Sequence, residues 1–106
     1  MRTLEFKVDG QVLKKRPGCD FSNLVANTVG YLKAKFYCDS AWNKCKKAAS
    51  FWIDDKEYSV LLDRNNECDV PSEVLNSKVF YVSLTGARSD GYRIPTNKYK
   101  IRQEVY

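Results

Sequence analysis

Residues 49–62, ASFWIDDKEYSVLL, decide the fold class. Ala49, Phe51 and Ile53 alternate with Ser50 and Trp52, Asp54-Asp55-Lys56 interrupts, and Tyr58, Val60 and Leu62 resume the alternation on the return. A period of two is what a strand with one buried face produces, and turn formers between two such runs predict a hairpin. On this reading Phe51 and Ile53 point inward, which leaves Trp52 facing outward as an interface anchor or lying in a second core layer.

The same period extends in both directions. Leu4, Phe6 and Val8 share one face of a first strand, Asp9-Gly10 predicts a tight turn, and Gln11–Lys15 pairs back. Arg16-Pro17-Gly18 breaks the pattern, and strand character returns from Leu24. By residues 30–38, GYLKAKFYC, the chain places Leu32, Ala34, Phe36 and Cys38 inward and Tyr31, Lys33, Lys35 and Tyr37 outward. Helical spacing of Tyr31, Ala34 and Cys38 competes, but the flanking Gly30 and Asp39-Ser40 favour a strand. Asp63–Glu67 reads as a turn, Cys68 and Val70 as a short strand, and Pro71–Leu75 as one helical turn opened by proline. Val79–Thr85 is a strand apolar on both faces, Gly86–Gly91 a loop carrying Arg88, and Tyr99–Val105 a last strand. About seven or eight short antiparallel strands with turns between them predict one all-β sandwich, Ig-like or jelly-roll-like, over residues 1–106.

Composition bounds the function. The 106 residues are 43% hydrophobic and carry a formal charge of +5, enough apolar surface for one core. Residues 1–50 hold ten Lys or Arg against four acids, residues 51–90 four against eight, and residues 91–106 four against one. Basic ends bracketing an acidic middle suit nucleic-acid binding or head-to-tail packing between copies. No apolar run is long enough for a membrane span or an export signal, so no membrane association is expected. The four cysteines, Cys19, Cys38, Cys45 and Cys68, are therefore expected as free thiols.

Chemistry-bearing constellations are few. Histidine is absent, which removes the usual general base, and the cysteines contain no CxxC pair, so neither a metal nor a cofactor is expected. Asp54, Asp55 and Glu57 cluster at a hairpin tip, where solvated carboxylates are ordinary. Gly86–Gly91 lacks the GK[ST] ending of a phosphate-cradling loop. What remains is a face of Tyr31, Lys33, Lys35 and Tyr37, aromatics interleaved with cations as in single-strand binders, which Lys14, Lys15, Arg16, Lys44, Lys46 and Lys47 could extend. Trp52 and Arg88 are the other interface candidates, and Asp39, Trp42 and Pro71 the structural corners.

The order of segments EFKVDGQVL (5–13), VANTVGYLKAKFYCDSAWNK (25–44), KKAASFWIDDKEYSVLLD (46–63), CDVPSEVL (68–75), VFYVSLTGAR (79–88) and IPTNKYKI (94–101) resembles a small β-sandwich domain of tailed-phage virion proteins. Its nearest likeness is the amino-terminal domain of baseplate upper proteins and related head-fibre or decoration proteins. The likeness spans residues 3–102 and is most specific at Asp39-Ser40-Ala41-Trp42, where the tryptophan would seal a sandwich edge, and at Cys68–Leu75. It implies a non-enzymatic virion subunit, made in the host bacterial cytoplasm, that binds other virion proteins as a homo-oligomer. The longer carboxy-terminal region of baseplate proteins does not follow Tyr106 here, so either a stand-alone decoration or connector subunit or a domain borrowed for another role is expected. The alternative is a small phage-encoded inhibitor of a host defence, or a nucleic-acid-binding domain using the basic aromatic face.

Overall fold

The computed structural model describes residues 1–105, so of the domain expected over residues 1–106 only Tyr106 lies outside the described residues. Among the described residues nine strands form two facing sheets: β1 Arg2–Asp9, β2 Val12–Lys15, β3 Leu32–Cys38, β4 Lys46–Ile53, β5 Lys56–Leu61, β6 Glu67–Asp69, β7 Val79–Ala87, β8 Arg93–Pro95 and β9 Tyr99–Arg102. One sheet runs β2-β1-β3-β6; the other runs β5-β4-β7, with β8 and β9 sharing the far edge of β7. The all-β single sandwich expected from the alternating pattern is the fold of this chain.

Each sheet turns its apolar set inward. Leu4, Phe6, Val8, Leu13, Leu32, Ala34 and Phe36 meet Ala49, Phe51, Phe80, Val82, Leu84 and Ile101, all essentially without solvent exposure. Phe6 and Phe36, paired in register, stack at 5.1 Å between centroids. Burying each such ring contributes about 1.5–3 kcal/mol. The hairpin read from residues 49–62 is β4-β5, with Phe51 opposite Tyr58 and a turn at Asp54, whose φ of 52° is the left-handed conformation that Asp tolerates.

Several sequence expectations are corrected. The strands are not all antiparallel, because β1 pairs with β3 in parallel from Arg2↔Leu32 to Val8↔Cys38. A parallel pair requires a long crossover, and residues 16–31 supply it as irregular chain instead of the strand expected from Leu24. Phe21 anchors that crossover edge-on against Phe6 at 5.2 Å, and the Arg2 guanidinium donates to the carbonyls of Asp20, Ser22 and Asn23. Gly86 belongs to β7, not to the following loop, and an additional short strand, β8, precedes the last one. The last strand ends at Arg102, after which Glu104 makes a single parallel bridge to Val25. Pro71 precedes the 3-10 turn Ser72–Val74 at its cap position instead of occupying its first residue, and Val74 and Leu75 plug one end of the core.

Candidate functional site

The two outer faces of the sandwich differ in kind. On the four-stranded sheet the outward residues are charged and alternate in sign: Lys7 and Lys14 lie 3.7 and 3.8 Å from Asp9, Arg16 lies 3.3 Å from Glu5, and Lys33 lies 4.0 Å from Asp69. Tyr31, 48% exposed, precedes β3, while Lys33, Lys35 and Tyr37 stand along it as the pattern required. Tyr37 is no open stacking platform. The Arg16 guanidinium covers its ring at 3.8 Å, and its hydroxyl donates to Glu5 at 2.8 Å. Register places Glu5 and Glu67 on either side of Lys35, so acids interrupt the cationic row the sequence suggested.

The outer face of the five-stranded sheet carries hydroxyls and aromatics instead. Ser50 pairs with Ser83 and Trp52 with Tyr81 across β4 and β7, and Ser59 and Glu57 continue the two rows on β5. The Trp52 indole N–H donates to Ser83 Oγ at 2.9 Å, and Lys98 holds its ammonium 3.7 Å over the Trp52 ring. Glu57 accepts from both Ser50 and Ser59 hydroxyls. Ser50 and Ser83 are themselves buried although they point outward, because the flanking side chains close over them. The result is a hydrogen-bonded row of hydroxyls with the Trp52–Tyr81 row beside it on the same face. Ser50 therefore lies beneath Glu57 and is not presented to solvent as a nucleophile.

Trp52 is thus outward, yet the predicted interface residues do not converge. Tyr31, Lys33, Lys35 and Tyr37 lie on one sheet and Trp52 on the opposite one. Arg88 stacks on Tyr92 at 3.9 Å, and the Tyr92 hydroxyl donates to the Ala41 carbonyl, so this pair fastens a loop onto the corner. Of the residues that complete the Trp52 face, Glu57 was readable from the alternation of its hairpin, whereas Tyr81 and Ser83 were not, because their strand reads as apolar on both faces. Nothing in the sequence marked them as chemically distinct.

The corner itself is a reciprocal clamp. Asp39 caps the 3-10 turn Ser40–Trp42 by accepting from the Ala41 N–H at 3.0 Å, and its other carboxylate oxygen accepts from the Gly10 N–H at 2.7 Å. Trp42, 1% exposed, donates its indole N–H to the Gly10 carbonyl at 2.8 Å. One turn is held by both of its peptide groups.

The four cysteines are unpaired thiols. Burial pushes the Cys38 thiol up to about 11, with Lys47 opposing and Asp39 and Cys45 adding, and pushes Cys68 up to about 12, with Asp69 and Asp63 adding. Both are protonated at neutral pH and poor nucleophiles. Among the described residues no group of three or more Cys, Asp or Glu is placed to hold a metal ion, and no helix is long and apolar enough to cross a membrane. No protein-family model, curated protein or solved structure matches the chain.

Proposed function

We propose that the chain is a non-enzymatic structural subunit of a tailed-phage particle, a head-decoration, head-fibre or baseplate-type protein that docks on other virion proteins. The observation carrying the docking is the Trp52–Tyr81 row beside the Ser50–Ser83 row. Trp52, pre-set by its hydrogen bond to Ser83 and by the Lys98 ammonium over its ring, forms with the neighbouring Tyr81 an anchor of few rotatable bonds that loses little entropy on binding. The phage setting rests on the resemblance in segment order and on the Asp39–Trp42 corner. A nucleic-acid reading is less well supported, because Glu5, Glu67 and Asp69 stand directly beside Lys35 and Lys33 on the basic face.

Mass spectrometry of purified particles tests the setting, with the chain expected at stoichiometric abundance. Particles that lack it refute the proposal. Truncating an anchor of this type costs about 2 kcal/mol or more, roughly thirtyfold in affinity. Trp52→Ala is therefore expected to deplete the subunit from particles while the isolated domain stays folded. Undiminished incorporation would move the docking surface elsewhere.

A further inference from the structure

The charge asymmetry of the sequence becomes a spatial one. Strands β5 and β6 end their respective sheets on one flank of the sandwich, and the Asp63 N–H donates to the Glu67 carbonyl between them. Residues 54–69, which build this flank, hold six acids, Asp54, Asp55, Glu57, Asp63, Glu67 and Asp69, against Lys56 and Arg64. The opposite flank is built by β2 and β9, with Asn97 joining the two sheets through bonds to Leu13. Residues 11–15 and 98–102 there hold Lys14, Lys15, Lys98, Lys100 and Arg102 and no acid.

The acidic flank also carries an open backbone edge. The Leu62 N–H donates to the Lys47 carbonyl, so in the antiparallel ladder Tyr58, Val60 and Leu62 bond to β4. Glu57, Ser59 and Leu61 then turn their peptide groups away from the sheet, and Leu61 is 74% exposed. On the basic flank the Gln103 N–H donates to the Lys78 carbonyl, which by the same alternation turns the peptide groups of Lys100 and Arg102 outward. Beyond them Glu104 is already bonded to Leu24 and Ala26, so the open stretch of β9 is short.

From these edges we infer that copies of this chain associate head to tail, with β5 of one copy pairing with β9 of the next. The inference rests on the assembly reading above and supplies its geometry. β5 runs with β7 and against β9 within one sheet, so a second copy placed beside β5 in the same orientation presents an antiparallel partner. A register that sets Glu57 opposite Lys100 of the second copy, both on the outer face, also brings the Asp54-Asp55 turn beside its Arg102. Such a contact is heterologous: it leaves a free acidic edge at one end and a free basic edge at the other, so association continues past a dimer.

Sedimentation velocity of the nuclease-treated chain over a concentration series reaching the millimolar range tests this. At low salt, species larger than dimers are expected to grow with concentration, and to disappear at about 1 M salt, where the screening length falls to about 3 Å. Charge reversal on either edge, Asp55→Lys/Glu57→Lys or Lys100→Glu/Arg102→Glu, is expected to leave monomers. Mixing the two variants is expected to restore association, because each then offers the edge the other lacks. A chain monomeric throughout, a dimer sensitive to the β5 pair but not to the β9 pair, or a mixture that stays monomeric would each overturn the inference. A monomeric chain that is still recovered in particles sinks the head-to-tail contact alone; a self-associating chain absent from particles sinks the phage setting alone.

Discussion

Substituting Gly86 with alanine tests the packing of the corner directly. A Cβ at residue 86 would lie 2.8 Å from Trp42 Cε3, 2.9 Å from Cζ3 and 3.1 Å from the Cβ of Cys45. Trp42 has no room to retreat: it is 1% exposed, and its indole N–H is tied to the Gly10 carbonyl. Gly86 is not held at positive φ, so the penalty comes from crowding and not from backbone strain. Overpacking of this kind costs about 1–3 kcal/mol. Against that, alanine restricts the unfolded chain and returns about 0.4–1 kcal/mol. Taking a cost near the middle of that range, about 2 kcal/mol, because Trp42 is tied and buried, the net loss is about 1–1.6 kcal/mol, which for a domain of this size lowers Tm by roughly 4–13 °C. Urea unfolding followed by far-UV circular dichroism measures it without depending on either tryptophan. The decisive comparison is a double-mutant cycle with Trp42→Phe, since a single six-membered ring has no counterpart of Cζ3. In that background Gly86→Ala should cost at least about 1 kcal/mol less. A Gly86→Ala variant as stable as the parent, or one whose cost is the same in both backgrounds, refutes the reasoning.

Asp39→Ala removes the acceptor of two backbone N–H groups and is expected to lower stability by about 1–2 kcal/mol, seen as a shifted urea midpoint with unchanged slope. Asn97→Ala leaves both peptide groups of Leu13 without their partner, at a cost of about 1–3 kcal/mol by the same measurement. At pH 8 alkylation of Cys38 in the folded chain should be about a hundredfold slower than in urea, and of Cys68 about a thousandfold slower, following the loss of thiolate. Peptide mapping of the alkylated chain reads both. The same shifts set a pH dependence. The folded chain keeps these protons longer than the unfolded chain, so stability is intact below the unfolded thiol value of 9.0 and declines as pH rises through about 11 and 12. Replacing Cys68 by alanine should flatten part of that alkaline decline.

Local pattern and global pairing were not equally legible. The β4-β5 hairpin and the inward set Leu32, Ala34 and Phe36 follow from alternation alone, because burial of one face imposes it; the first turn, expected at Asp9-Gly10, falls one residue later at Gly10-Gln11, with Asp9 closing β1 opposite Val12. The parallel β1-β3 pair does not, since alternation is the same whichever direction the neighbour runs. β8 is three residues long and ends at Pro95, too short for a period to show. Gly86 reads as a loop residue in isolation. Its place in β7 follows from a tryptophan forty-four positions earlier, a contact the local sequence does not encode. The candidate site divides similarly: Trp52 takes the outer face, one of the two placements the alternation left open, but that Tyr31, Lys33, Lys35 and Tyr37 lie on the opposite sheet depends on which strands join which sheet.

How the sandwich treats its edges bears on the functional question. An open edge is a template for pairing, and proteins blunt it by shortness, by charge or by a cover. β2 is covered: the Asn97 side chain accepts from the Leu13 N–H and donates to its carbonyl, as another strand would. β6 is three residues long. The far side of β7 is divided between β8 and β9 and lined with Lys98, Lys100 and Arg102, and the backbone beyond Arg102 is occupied by residues 24–26. β5 is six residues long, has no proline and no bulge, and holds Leu61 in solvent where a lysine would serve protection better. Its acids, Glu57 within the strand and Asp54 and Asp55 at the turn, do deter a second β5, because like charges would meet. They do not deter a basic strand. An edge that repels its own kind and admits a cationic partner has the properties of a selective contact, and the cationic edge that matches it in strand direction is on the same chain.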